Sequence, residues 1–175
     1  MKKIFTFIAL AFLAVQSFSQ TCTLAPQTSC TPATETFTTA ANGFSGDFVF
    51  SNQGGGRLQT SVGATSPTTK RLQTATLFLA ANATSLSVTF DIGGTGSGDV
   101  TGVTLFAQTD PNPNAPLTQL CTFSGTIAGV VCFTTTNISA IQGRRFNLIF
   151  VFTVTGSTQN LITFDNFGTN ASGNQ

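Results

Sequence analysis

The sequence predicts an all-β protein, a two-sheet antiparallel β-sandwich (jelly roll) of about ten strands. Thr, Phe, Val, Ile, Gly, Ser and Asn dominate the composition, and these residue types favour strands and turns. Apolar and polar residues alternate with a period of two in many short segments, and turn signals separate the segments. Strong helix formers are scarce, since Glu35 is the only glutamate in the chain.

The clearest alternation lies in residues 85–92, where Leu86, Val88, Phe90 and Ile92 fall on one face. Residues 147–154 are almost continuously apolar, as expected of a central strand. The predicted strands are residues 34–38, 47–50, 57–62, 74–79, 85–92, 100–108, 117–123, 129–135, 145–154 and 160–167. The glycine-rich residues 93–98 and the proline-rich residues 110–116 are predicted to be exposed loops.

Residues 1–19 have the organisation of a secretory signal peptide. Lys2 and Lys3 form a charged start, residues 4–15 are apolar, and residues 17–19 form a small-x-small cleavage site. No later segment approaches the ~20 consecutive apolar residues of a membrane-spanning helix. We therefore expect a secreted or cell-surface protein, with no transmembrane segment after signal removal.

The composition excludes several classes of function. The chain has 18 Phe but no His, Trp or Tyr, so it lacks the usual general base and the commonest metal ligand. Phenylalanine has no polar group, so most of the rings are expected in the core. Beyond the signal, five basic and six acidic side chains leave a net charge of −1. No basic field for nucleic acid is present.

Four cysteines in an exported chain predict two disulfides. Three pairings exist, and the sequence-local one, Cys22–Cys30 with Cys121–Cys132, is the pairing that we predict. Cys22 and Cys30 flank a proline-containing loop, and Cys121 and Cys132 lie on apolar segments joined by residues 124–126. A zinc site would need all four thiolates at unsuitable spacings.

Four segments in order carry a resemblance to a known fold family. They are Glu35-Thr36-Phe37, residues 43–48, residues 71–79 and residues 161–167, the last reading Leu-Ile-Thr-Phe-Asp-Asn-Phe. Their arrangement resembles the galactose-binding-like and MAM-like jelly rolls of secreted bacterial surface proteins. The resemblance covers residues 34–168, after a disulfide-pinned leader at 20–33 and before a polar tail at 169–175.

The resemblance implies a structural calcium ion near the ends of the first and last strands. Glu35 and Asp165 would be its ligands, with Asp47 or the backbone carbonyls near Asn42 and Gly43 as additions. Calcium takes six to eight oxygen ligands, including carboxylates, so the chemistry fits. The alternative is that Asp165 caps a strand, Asp47 opens one and Glu35 is a solvated edge charge.

Three further motifs are candidates for a catalytic or ligand-binding site, and none of them has the required pattern. Residues 93–99 lack the Gly-Lys-Ser/Thr ending of a phosphate loop. Arg144 and Arg145 are adjacent, so on a strand they would point to opposite faces instead of forming a clamp. Glu35 with Asp165 or Asp47 would be the pair for glycoside hydrolysis, but nothing in their context raises one pKa above the other. We therefore predict that the protein is not an enzyme.

The sequence predicts a non-catalytic binding or adhesion module whose partner is a surface glycan or another extracellular protein. The loops at residues 93–99 and 110–116 are the predicted contact regions. The alternative is a structural, self-associating coat or matrix protein, because unblocked strand edges are templates for pairing.

Overall fold

The computed structural model of the protein describes residues 23–24, 42–52, 55–62, 68–95, 99–109, 115–155 and 160–173. These residues form strands and connecting segments without any helix. The strands are β1 (Thr23–Leu24), β2 (Ser45–Gly46), β3 (Val49–Ser51), β4 (Arg57–Val62), β5 (Thr68–Gln73), β6 (Leu77–Phe78), β7 (Leu86–Thr95), β8 (Asp99–Gln108), β9 (Thr118–Ile127), β10 (Gly129–Thr135), β11 (Arg145–Thr155), β12 (Asn160–Thr169) and β13 (Ser172–Gly173).

The strands pair antiparallel in two sheets that pack face to face, so the predicted β-sandwich is confirmed. The smaller sheet has the order β1-β10-β7-β12-β4-β3. In the larger sheet β2, β5, β11, β8 and β9 follow one another, β6 pairs with the first two residues of β11, and β13 pairs with β6. Within the described residues no helix is long and apolar enough to cross a membrane.

The core lies between the sheets and is built largely of phenylalanine, as the composition predicted. Its centre is the trio Phe90, Phe150 and Phe164, one ring each from β7, β11 and β12. Their ring centroids are 5.2 to 5.6 Å apart. Ring pairs at such distances stabilise by ~0.5–1.5 kcal/mol beyond the apolar area that they bury. Among the described phenylalanines, Phe78 and Phe106 alone neither belong to this core nor pack against it.

The strand predictions for β4 and β10 match to the residue, and those for β7, β8, β11 and β12 are confirmed with ends shifted by a few residues. The prediction of one strand at 74–79 is wrong, because the chain forms β5 before Thr74 and β6 after it. The Thr74 hydroxyl accepts a hydrogen bond from Leu148 N at 3.0 Å. A side-chain oxygen thus replaces a ladder carbonyl, and this local competition interrupts the strand. The predicted strand at 34–38 lies outside the described residues.

The prediction of a loop beginning at Gly93 is also wrong, because β7 continues through Gly93 to Thr95. Gly93 pairs with Thr163 of β12, and a Cβ atom at Gly93 would lie 2.7 Å from the Thr163 hydroxyl oxygen. Glycine here permits a close approach within the sheet, a known role of strand glycines.

The fold also extends past its predicted end at residue 168. Ala171 belongs to the core cluster, and β13 pairs with β6. At the other end, β1 pairs with β10, within the segment predicted as a leader.

Candidate functional site

The larger sheet turns one face to the core and the other outward. On β11, Phe146, Leu148, Phe150 and Phe152 are buried in the core. Asn147, Ile149, Val151 and Thr153 alternate with them and therefore point away from the core. Their ladder partners share that orientation, since residues opposite each other in an antiparallel pair lie on the same face. We call this surface of β5, β11, β8 and β9 the outer face.

One row of the outer face runs across four strands through a phenylalanine. Gln73 of β5 pairs with Ile149 of β11, Ile149 pairs with Phe106 of β8, and Phe106 pairs with Gln119 of β9. Ile149 is fully buried, Phe106 is half-buried and Gln119 is exposed. The row thus has an apolar centre with an amide side chain at each end.

The next row of the outer face carries a guanidinium and two hydroxyls. Arg71 of β5 pairs with Val151, Val151 with Thr104 of β8, and Thr104 with Thr122 of β9. The Thr104 and Thr122 hydroxyl oxygens are 3.0 Å apart, within hydrogen-bond distance. Arg71 is exposed.

The two rows are joined at β5. Arg71 Nη2 donates to Gln73 Oε1 at 3.1 Å, which holds the guanidinium over the first row. The guanidinium keeps further donors for a ligand, and the Gln73 and Gln119 amides add donors and acceptors. Together the rows offer a strip of Phe106 and Val151 bordered by hydrogen-bonding groups, an arrangement suited to a ligand with apolar and hydroxyl-bearing surfaces.

The sequence did not identify Arg71, Gln73 or Phe106 as site residues. Leu105, Phe106 and Ala107 are consecutive apolar residues, so alternation alone could not show which of them faces outward. Arginine and glutamine at i and i+2 share a strand face, but Arg57-Leu58-Gln59 repeats the spacing of Arg71-Leu72-Gln73, so the sequence did not single out one of the two pairs.

The three predicted calcium ligands are not brought together within the described part of the chain. Glu35 lies outside it. Asp47 lies between β2 and β3, and its carboxylate accepts a hydrogen bond from Arg71 N at 2.7 Å. Asp165 lies on β12 of the smaller sheet. No group of three acidic, cysteine or histidine side chains that could hold a metal occurs among the described residues. The calcium site stays a prediction.

Asp165 instead has an acidic neighbour that the sequence did not predict. It pairs directly with Asp91 of β7. Both lie on the side of the smaller sheet away from the core, since Phe90, Ile92 and Phe164 beside them are core residues. Arg57 comes next in this row, because it precedes Leu58, the partner of Phe164.

The cysteines of β9 and β10 are both buried and both disulfide-bonded. Cys121 belongs to the core between the sheets. Cys132 lies between the core residues Val131 and Phe133, so its side chain points to the other face of β10. The prediction that residues 124–126 connect the two cysteine-bearing segments is wrong. These residues belong to β9, and the chain passes to β10 at Ala128.

Cys22 and Cys30 lie outside the described residues, and the pairing of the four cysteines stays a prediction. The loops predicted to contact a partner, residues 93–99 and 110–116, are only partly described. Residues 93–95 and 99 belong to strands, and residues 96–98 and 110–114 lie outside the described part.

No family model matches the chain, and no curated protein matches it. Solved structures do. The N-terminal cellulose-binding domain of a β-1,4-glucanase C from Cellulomonas fimi is 13% identical, with a TM-score of 0.50 over 83% of this chain and 100% of that chain. A structure concerned with the promiscuous specificity of carbohydrate-binding modules of the β-sandwich superfamily is 11% identical, with a TM-score of 0.50 over 78% and 61% of the two chains.

A family 28 module specific for non-crystalline cellulose is 14% identical, with a TM-score of 0.48 over 83% of this chain and 97% of that chain. The two matches with a TM-score of 0.50 show the fold alone, a β-sandwich shared with carbohydrate-binding modules.

Proposed function

We propose that the protein is a secreted, non-catalytic glycan-binding module whose ligand lies across the outer face of the larger sheet. The observation that carries the proposal is the position of Phe106, a half-buried ring outside the core, in a row bordered by Gln73 and Gln119. The β-sandwich fold shared with carbohydrate-binding modules supports the same class of ligand.

The chemistry of the outer face matches a sugar chain. A pyranose ring presents C–H groups on its faces and hydroxyls around its rim. Phe106 and Val151 supply apolar contact for the C–H groups, while Arg71, Gln73 and Gln119 supply donors and acceptors for the hydroxyls. Such contacts orient a ligand without requiring Trp or Tyr.

The same surface supports binding without hydrolysis. Glycoside hydrolysis ordinarily needs a pair of carboxyl groups flanking the scissile bond. The two rows contain no carboxylate on β5, β11, β8 or β9, and the one beside them, Asp47, accepts a hydrogen bond from Arg71 N. We propose that a bound chain is held and released unchanged.

Affinity electrophoresis of the purified protein through a panel of polysaccharides tests the proposal. We expect one polymer to retard the protein and the Phe106→Ala variant to lose about tenfold in affinity, which is ~1.4 kcal/mol. Arg71→Gln should weaken binding as well. Val49→Ala is the matched control, because Val49 is 62% exposed but lies on β3 of the smaller sheet. Equal retardation of Phe106→Ala and the unaltered protein would refute this location of the site.

Self-association into a coat or matrix is the second candidate function. Within the described residues β9 pairs on one side only, with β8, and it is ten residues long. An unpaired strand edge of this length is a template for another chain. Sedimentation of the purified protein without ligand separates the candidates, because self-association predicts oligomers that grow with concentration and glycan binding predicts a monomer.

A further inference from the structure

The outer face of the larger sheet continues beyond Asn147 to a second group of side chains at the start of β11. There Arg145 pairs with Phe78 of β6, and Phe78 pairs with Ser172 of β13. The three residues share the outer face, since the adjacent Phe146 and Leu77 belong to the core. Together with three neighbours they line a groove of ≈ 290 Å³, formed by Thr76, Leu77, Phe78, Arg145, Ser172 and Gly173.

The groove combines an exposed ring with a cation. Phe78 is 42% exposed, and it is the second described phenylalanine that lies outside the core. Arg145 is exposed, and no carboxylate belongs to the described residues that line the groove. The Ser172 hydroxyl donates to Phe78 O at 3.3 Å, which fixes β13 as one wall.

We propose that this groove binds the carboxylate-bearing sugar unit of an acidic polysaccharide, a uronate. The inference rests on the proposed glycan-binding function and specifies its ligand class. A guanidinium presents parallel N–H donors that match a carboxylate in a bidentate pair. Phe78 provides the apolar surface for the C–H face of the same sugar ring. Charge complementarity selects the occupant, because the groove offers a cation without its own counter-ion among the lining residues.

The groove is placed to extend binding along the same chain. Arg145 and Val151 both face outward on β11, six residues apart, which corresponds to ~20 Å at ~3.3 Å per residue. A polysaccharide lying along β11 reaches both Phe106 and Arg145. The Phe106 region then contributes general glycan affinity, and the groove contributes selectivity for the charged unit.

Titration calorimetry with a galacturonate trisaccharide and its fully methyl-esterified form tests the inference. The ester keeps the rings and removes the charge. We expect the unaltered protein to bind the acid at least tenfold more tightly than the ester, and added salt to reduce the difference. Arg145→Gln should abolish the preference, Arg145→Lys should restore part of it, and Phe78→Ala should weaken both ligands.

Arg144→Gln is the matched control, since it removes the same charge one residue away and Arg144 does not line the groove. If Arg144→Gln and Arg145→Gln reduce the preference equally, net charge explains the binding and the groove is refuted. If Phe106→Ala loses binding to a polysaccharide while the acid and ester bind equally, the inference fails and the proposed function stands. If no saccharide binds at all, both fail.

Discussion

Asp47 and Arg71 are joined by two hydrogen bonds that close a ring between them. Asp47 N donates to Arg71 O at 2.8 Å, and Arg71 N donates to Asp47 Oδ2 at 2.7 Å. The carboxylate thereby continues the ladder between β2 and β5 by one step beyond Gly46. Arg71 is a central residue of the proposed glycan-binding face, so Asp47 fixes the backbone that presents it.

Replacing Asp47 tests this positioning role. We expect Asp47→Ala to lower the free energy of unfolding by about 1 kcal/mol, the usual net value of one hydrogen bond. Asp47→Asn should lose less, because its amide oxygen still accepts from Arg71 N. Urea unfolding measures both variants. Equal stability of Asp47→Ala and the unaltered protein would show that water replaces the carboxylate at no cost.

Gly46 is expected to tolerate no side chain. Its φ is +122°, and a Cβ atom there would overlap the Arg71 carbonyl oxygen. Gly55 also has a positive φ, +102°, but no atom lies within 4 Å of a Cβ atom added there. Gly55→Ala should therefore cost the ~1–3 kcal/mol of an unfavourable backbone conformation alone. Gly46→Ala should cost more in the same unfolding measurement, and an equal cost would contradict the steric argument.

The directly paired Asp91 and Asp165 repel each other across the smaller sheet at neutral pH, and Arg57, next to Asp165 in the same row, offsets only part of this repulsion. We expect Asp91→Asn to stabilise by ~0.5 kcal/mol, which raises the melting temperature by ~1–2 °C in a domain of this size. Asp165→Asn should gain less, since Asp165 Oδ1 accepts from Asn166 N at 2.8 Å and a charged acceptor is stronger.

Thermal unfolding at low and high salt measures this effect. Salt screens exposed charges, so the advantage of Asp91→Asn should shrink as salt is added. A lower melting temperature for Asp91→Asn would contradict the prediction, because it would show that the Asp91 carboxylate stabilises the fold.

Cys121 of β9 lies in the core between the sheets, whereas Cys132 of β10 points away from the core, so the two side chains do not converge. A disulfide requires Cα atoms within ~7 Å and Cβ vectors that converge. The geometry thus favours one bond from each of these cysteines to Cys22 and Cys30 over the sequence-local pairing. Peptide mapping by mass spectrometry without reduction checks it. Two cross-links from the N-terminal segment are expected, and a Cys121–Cys132 cross-link would restore the local pairing.

Several parts of the fold were predictable because local physics determines them. The strict alternation of residues 86–92 specified one core face of β7, and the apolar residues 147–154 specified a central strand. Phenylalanine has no polar group, so most of the phenylalanine rings were correctly predicted to lie in the core. These signals depend on side chains within one strand, so no partner strand was needed to interpret them.

The candidate site was not predictable, because it depends on register between strands. Irregularities in the ladder between Leu105 and Phe106, and between Asp165 and Gly168, set which residues are opposite each other. A shift of one residue moves a side chain to the other face of the sheet. The pairing of Asp91 with Asp165 therefore had no local signature.

The sequence by itself determined the fold class, the phenylalanine core and most strand positions, since hydrophobic periodicity and turn residues act over short distances. Only the tertiary structure decided that Phe106 and Arg71 share the outer face, and that Phe78 and Arg145 line one groove. Each pair comes from strands far apart in the chain, and its meeting is fixed by sheet order and register.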